Sequence, residues 1–310
     1  MTRVGVVDLG TNSTRLLVAD VEDGAVHEVE RRLTITRLGE GVDERRILLP
    51  TALARVRNTL GGYRRVLEEA GAERTLAVAT SAVRDAENGE AFLGEVEWSY
   101  GFETVLLSGD EEARMTFRGV ANGGALESGA LVLDVGGGST ELVLANWHES
   151  LDLGCVRLTE RFLHSDPPTA GELGACREHI RSLLPADLEP TRGIGVAGTV
   201  TTLAVLSLGL DEEDPGLVHG HRMSTDWIAA EAERLAAQPV AALRGLRGMD
   251  PDRAPVIVAG TLVVAETLRR YGLDALEVSE HDLMHGAALA AAELPVRAEG
   301  PAPPGAYTCC

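Results

Sequence analysis

The chain has no lysine: all 28 of its basic residues are arginine. That absence excludes a Walker-type phosphate lysine and a Schiff-base lysine. Any fixed cation that meets an anion must be a guanidinium, a planar fork suited to bidentate phosphate contact. Positive charge is also scarce in total, with a net charge of −20. A general nucleic-acid surface needs clustered Lys and Arg, so nucleic acid is not an expected partner. A polyanion can still be held locally by arginines, backbone amides and metal. Aromatic residues make up only 4% against 45% hydrophobic, so aliphatic side chains must build the core. The four cysteines, Cys155, Cys176, Cys309 and Cys310, show no CxxC spacing. Neither a disulfide framework nor a zinc-finger pattern is present. There is no basic-then-apolar leader, and no apolar run approaches the ~20 residues of a membrane span. The expectation is a soluble, cytoplasmic protein with no membrane partner.

What is present is one unusual phrase written twice. Residues 8–18 read DLGTNSTRLLV and residues 134–144 read DVGGGSTELVL. Overlaid, Asp8 matches Asp134, Gly10 matches Gly136, and Ser13-Thr14 matches Ser139-Thr140. One position inverts charge, with Arg15 in the first copy and Glu141 in the second. Each copy reads as a strand ending in Asp, a tight polar turn and a second strand, which is a β-hairpin. Two such tips facing each other would line a cleft with amides and hydroxyls and place an acid at each strand end. That arrangement suits a phosphate chain with a divalent metal.

The rest of the chain repeats a plan. Residues 4–8, 15–21 and 25–36 read as strands, 51–70 as a helix stopped by Gly71, 76–80 as a buried strand, and 104–108 as another strand. Residues 109–120 read as a loop entering a helix with acids in its first turn, where the dipole favours them. The composition softens at 122–130, which suggests a boundary. The second half restarts with strand, GGGST tip and strand. Gly198-Thr199 and Gly260-Thr261 form a second echo, each read as an aliphatic strand ending in Gly-Thr before a helix. The expected fold is α/β, in two lobes with mixed sheets: 1–124, then 125–281, with a tail at 297–310 read as disordered. In that reading Cys309 and Cys310 belong to the tail rather than to a prenylation signal. Ligand is expected at the carboxyl ends of strands, in the cleft between lobes.

Gly136, Gly137 and Gly138, followed by Ser139 and Thr140, allow close backbone approach and positive φ, so that successive amides could form an anion nest. A tight hairpin turn is the plainer reading, and the pairing with the first copy favours the nest. Asp8 and Asp134 could hold Mg²⁺, or merely cap their turns. In 108–113, SGDEEA, a carboxylate could orient and deprotonate water for phosphoanhydride hydrolysis. Residue physics alone does not choose among Asp110, Glu111 and Glu112. Arg15 and Arg84 are the candidate phosphate clamps. His219, His221, His281 and His285 have spacings that could ligate metal, but no further ligand completes a zinc set.

At these residues the chain resembles the exopolyphosphatase/guanosine pentaphosphate phosphohydrolase (Ppx/GppA) family of the actin/hexokinase/Hsp70-like ATPase superfamily. The matching stretches are DLGTNSTRLLV, ATSAVRDA (79–86), LSGDEEARMTF (107–117), DVGGGSTELVL and VAGTVTTLA (196–204), in the expected order. The resemblance extends to about residue 295. It implies two ribonuclease-H-like lobes with an interlobe cleft, and a C-terminal helix (282–296) that returns to the first lobe. By the resemblance Glu112 is the catalytic glutamate. By the same resemblance Asp134 and Glu141 look like the metal- and water-organising acids, and Asp8 stays a candidate metal ligand from its place at a strand end. Thr11, Asn12, Ser13, Arg15, Arg84, Gly136, Gly137, Gly138 and Ser139 look like the phosphate-binding set. Thr11 stands where members often have Ser, which keeps the hydroxyl. The SEHDLMHG stretch departs from the family's glycine- and arginine-containing form. Long members carry a further helical region that helps hold polyphosphate. The sequence ends before such a region, which argues against processive action on long chains.

The expected function is Mg²⁺-dependent exopolyphosphatase, with Mn²⁺ as the alternative metal and inorganic polyphosphate as substrate. The rivals are a pppGpp 5′-phosphohydrolase, a sensor that binds guanosine penta- or tetraphosphate with little turnover, and an actin-like small-molecule kinase. The SGxEEA and ATSAxRDA stretches speak against the kinase. A −20 surface and a short chain leave polyphosphate little cationic track within one subunit, and with what the family resemblance implies this makes a homodimer an expectation.

Overall fold

The computed structural model describes residues 1–295. The expected tail at 297–310, with Cys309 and Cys310, lies outside the described residues. The chain forms two compact units, Met1–Ser108 together with residues 284–295, and Gly109–Leu283.

The first unit is built on five strands: β1 (Thr2–Leu9), β2 (Ser13–Glu22), β3 (Ala25–Ile35), β4 (Arg74–Ala79) and β5 (Glu103–Leu106). Their order is β3-β2-β1-β4-β5. The first three run antiparallel, and β4 and β5 continue parallel to β1. This is the ribonuclease-H-like plan. The helix Pro50–Ala70 buries Ala52, Val56, Leu60, Tyr63, Val66 and Leu67, a stripe at helical spacing. It ends at Gly71, whose φ of 71° only glycine adopts freely; Ala72 N–H then returns to the Leu67 carbonyl at 3.0 Å. The last helix, Leu283–Glu293, contributes to this unit, with Arg74 donating to the Ala292 carbonyl and His285 Nε2 lying 3.0 Å from Glu28 Oε1.

The second unit repeats the plan with β6 (Ala130–Val135), β7 (Thr140–Leu144), β8 (Trp147–Leu151), β9 (Arg192–Val196), β10 (Arg222–Ser224) and β11 (Ala275–Val278), ordered β10-β11-β9-β6-β7-β8. Its core is aliphatic, with Leu131, Leu133, Leu142, Leu203, Leu262 and Leu276 all buried. Each such side chain contributes roughly 1.5–3 kcal/mol on burial. The helix Ala170–Leu183 begins at a capping box, in which Glu172 N–H meets Thr169 Oγ1 and Glu172 Oε2 accepts from Thr169 N–H at 2.7 Å.

Two expectations differ from what is observed. The unit boundary lies at Ser108/Gly109 rather than at 124/125. The helix Gly109–Ala121 packs on β7 and β8 and buries Glu112, Ala113, Thr116, Gly119 and Val120, so it joins the second unit. Gly260-Thr261 does not follow a strand either. Residues Ile257–Arg270 are one helix, buried at every position from Ile257 to Leu268. A continuous apolar run looks alike as a buried strand and a buried helix, because burial on all sides removes the periodicity that tells them apart.

Candidate functional site

In the first unit the β1–β2 hairpin places Asp8 and Arg15 as register partners, and their side chains pair, Arg15 Nε to Asp8 Oδ2 at 2.8 Å. The tip is rigidly held. Gly10 N–H donates to Ser13 O at 3.1 Å, Arg37 N–H to Asn12 O at 2.8 Å, and Gly39 N–H to Thr11 O at 2.8 Å. Below it Tyr63 O–H donates to Thr14 O at 2.9 Å; burial, the largest influence, pushes this phenol's pKa up and keeps it protonated. Thr11 and Asn12 are buried, and Asn12 Nδ2 has no hydrogen-bond partner among the described residues. A buried amide donor without an acceptor costs about 1–3 kcal/mol, so an anionic acceptor at this tip would be favoured. Because β4 runs parallel beside β1, Leu9 opposite Ala79, the chain leaves β4 at the same sheet end as the tip. There Thr80 opens the short helix Ser81–Arg84, and Arg84 Nη1 donates to the Leu107 carbonyl at 2.6 Å. Thr11, Asn12, Ser13, Asp8, Arg15 and Arg84 therefore all lie at one end of one sheet.

In the second unit the β6–β7 hairpin makes Asp134 and Glu141 register partners. Each carboxylate accepts from a neutral hydroxyl: Asp134 Oδ2 from Thr116 Oγ1 at 3.1 Å, and Glu141 Oε1 from Ser150 Oγ at 2.7 Å. Glu112 lies one helical turn before Thr116, so both occupy the helix face turned to Asp134. Glu112 is 7% exposed, whereas Asp110 and Glu111 on the same first turn are not buried. Burial thus separates three acids that residue physics alone had left equivalent.

The glycine tip differs from expectation in one respect. None of Gly136, Gly137 and Gly138 adopts the left-handed conformation. Close packing against this tip depends instead on the missing side chain of Gly154. The helix Cys155–Phe162 abuts the tip, and a Cβ at Gly154 would come within 2.2 Å of the Gly137 carbonyl oxygen. Cys155 N–H donates to Gly136 O at 3.0 Å, Val156 N–H to Gly137 O at 2.8 Å, and Arg157 Nε to Gly138 O at 2.7 Å. Burial raises the Cys155 thiol's pKa, so it is not a reactive thiolate.

Thr116, Ser150, Gly154 and Arg157 escaped the sequence reading. Only Thr116, four residues after Glu112, carried a usable spacing signal. Among the described residues no three His, Cys, Asp or Glu side chains gather as a ready-made metal group. The histidines take other roles, with His221 Nε2 3.0 Å from Ser207 Oγ and His219 Nδ1 accepting from Glu280 N–H at 3.2 Å. No helix among the described residues is long and apolar enough to cross a membrane.

The model of the Ppx/GppA phosphatase family matches residues 17–293. The chain belongs to that family. Within curated relatives it is 41% identical to exopolyphosphatase 2 of Mycobacterium tuberculosis, covering 94% of this chain and 99% of that protein. It is 29% identical to the guanosine-5′-triphosphate,3′-diphosphate pyrophosphatase of Vibrio vulnificus, covering 91% of this chain and 58% of that one. Among solved structures, the Aquifex aeolicus Ppx/GppA family member superposes with a TM-score of 0.79 at 32% identity, covering 93% of this chain and 97% of its own. An exopolyphosphatase from Cytophaga hutchinsonii superposes with a TM-score of 0.85 at 25% identity, covering 96% and 100%. The two-unit α/β plan, on one five-stranded and one six-stranded mixed sheet, is thus that of a Ppx/GppA fold.

Proposed function

We propose that this protein is an exopolyphosphatase, which hydrolyses the terminal phosphoanhydride of inorganic polyphosphate and releases orthophosphate. The observation that carries this reading is the 41% identity to exopolyphosphatase 2 across 99% of that relative's length. Glu112 is the group assigned to the water: it orients the molecule and takes its proton as the oxygen attacks the terminal phosphorus. Its place beside Thr116, which holds Asp134, supports that assignment.

Asp134 and Glu141 are the residues that would hold a divalent metal, Mg²⁺ in the first place and Mn²⁺ as an alternative. Like charges directly opposite on a ladder repel. Two hard oxygen donors are also what Mg²⁺ takes alongside substrate phosphates. The metal, when bound, supplies positive charge against the phosphoryl oxygens. The amides of Gly137, Gly138 and Ser139 are assigned to the same oxygens. Thr11, Asn12, Ser13, Arg15 and Arg84 are the proposed phosphate-binding residues of the first unit, and the spare donor of Asn12 supports their assignment. Asp8 is assigned to anchoring Arg15, since its carboxylate already meets a guanidinium at 2.8 Å. The free, buried Cys155 and Cys176 accord with a reducing, cytoplasmic compartment.

The test is phosphate release by the purified protein from long-chain polyphosphate, tripolyphosphate, pppGpp and ATP, each with Mg²⁺ and with chelator. Metal-dependent release from polyphosphate is expected. Release from pppGpp alone would move the assignment to the nucleotide, and release from none would make the protein a binder.

A further inference from the structure

Every peptide carbonyl of the Gly136–Gly138 tip is accounted for on one side. Gly136 O and Gly137 O accept from the first amides of the helix Cys155–Phe162, at 3.0 Å from Cys155 and at 2.8 and 3.2 Å from Val156 and Arg157. The next carbonyl, Gly138 O, accepts from the Arg157 side chain, at 2.7 Å from Nε. A planar trans peptide carries its C=O and the following N–H in opposite directions. Fixing these three carbonyls toward the helix therefore fixes the N–H groups of Gly137, Gly138 and Ser139 away from it. No backbone carbonyl among the described residues accepts from those three amides.

Arg157 is 7% exposed, and its Nη2 lies 3.4 Å from Asp152 Oδ1. A guanidinium this buried is costly to desolvate, and here its Nε is committed to one backbone oxygen. Its charge also polarises the peptide that joins Gly138 to Ser139, which makes the Ser139 N–H a stronger donor.

We propose that Arg157 is a positioning residue for phosphate recognition: acting through Gly138, it aims and strengthens the Ser139 amide, one of the three tip amides assigned to the phosphate. It does not itself touch substrate. This inference rests on the polyphosphate reading, which deepens it to a named determinant of substrate affinity.

The experiment compares wild type, Arg157→Gln and Arg157→Lys in two assays. The first is steady-state polyphosphate hydrolysis. The second is titration calorimetry with tripolyphosphate in the presence of Mg²⁺. Arg157→Gln keeps an N–H donor without the charge, and Arg157→Lys keeps the charge without the fork. For Arg157→Gln, KM and the tripolyphosphate dissociation constant should both rise about tenfold, short of the roughly 10²–10³ effect of deleting an oxyanion donor itself. Arg157→Lys should recover part of that loss. A merely structural role would reduce the active fraction, lowering apparent kcat while KM stays constant. Unchanged KM and unchanged tripolyphosphate affinity in a folded Arg157→Gln protein would overturn the inference. Should Arg157→Gln fail to fold, unchanged values in Arg157→Lys would overturn it equally. A wild type that binds tripolyphosphate but releases no phosphate would fail the functional reading instead, and the affinity comparison would still decide the role of Arg157.

Discussion

Asp134 and Glu141 stand directly opposite each other in the β6–β7 ladder, where the matching positions of the first hairpin hold Asp8 and Arg15. One hairpin closes on an ion pair and its copy closes on two acids. Cross-strand like charges repel, and in the proposed metal site a bound cation would offset that repulsion.

That repulsion gives a direct prediction. In chelator, Glu141→Gln should melt at or above the wild-type temperature, because one of the two facing charges is gone. Added Mg²⁺ should raise the melting temperature of wild type but not of Glu141→Gln. At a concentration about 100 times the dissociation constant, linkage gives roughly 2.7 kcal/mol of stabilisation to the form that binds. Differential scanning fluorimetry with and without metal reads both effects. A Mg²⁺ shift of equal size in the two proteins would remove Glu141 from the proposed metal site.

The Asp8–Arg15 pair should behave in the opposite way. Its side chains are 5% and 18% exposed, so Arg15→Met takes the facing cation from a buried carboxylate. Breaking such a pair costs about 3 kcal/mol, and replacing both partners costs much less. Urea unfolding of Arg15→Met against the double variant Asp8→Asn/Arg15→Met should show the double variant as the more stable of the two. Equal loss in both would mean that the pair contributes packing rather than charge.

Much of this was legible in the residues because the two hairpins carry their own register. The spacing from Asp8 to Arg15 and from Asp134 to Glu141 is the same, so the strand pairing, the position of each tip and the charge inversion are all written in the residues. The helix Pro50–Ala70 was legible for the same reason, from its periodic apolar face and terminal glycine. Two kinds of feature were not. Residues Ile257–Arg270 lost their period because the helix is buried on all sides. Ser150 and Arg157 act on Glu141 and Gly138 from 9 and 19 residues away, through contacts that exist only once β8 and the helix after it are folded. Glu112 falls between these cases. Its neighbourhood was visible, but choosing it over Asp110 and Glu111 took a resemblance, and burial now distinguishes it physically.

Away from the site, acid stability should depend on Glu266. This carboxylate, 1% exposed, accepts from Arg181 Nε at 2.7 Å and Arg177 Nη1 at 3.0 Å. Burial works to raise its pKa, but the hydrogen bonds from Arg181 and Arg177 and the charge of Arg269 outweigh it and hold the carboxyl below its usual range. A value lowered by folding contributes stability that is present above the unfolded value, about 4.3, and is lost as pH falls through the folded one. Glu266→Gln should therefore be less stable than wild type at pH 7, by roughly 3 kcal/mol as for a broken buried pair. The gap should narrow as the pH drops below about 4. Urea midpoints at the two pH values measure it, and a gap independent of pH would contradict the assignment.

The most direct measurement is the initial rate of orthophosphate release from long-chain polyphosphate by wild type and Glu112→Gln, side by side, with Mg²⁺ and with chelator. Wild type should release phosphate only with metal. Glu112→Gln, folded by circular dichroism, should lose about 10²–10⁴ in rate, the usual contribution of a positioned general base. A Glu112→Gln protein that turns over polyphosphate at the wild-type rate would contradict the mechanism, and a wild type that releases nothing from polyphosphate would contradict the function.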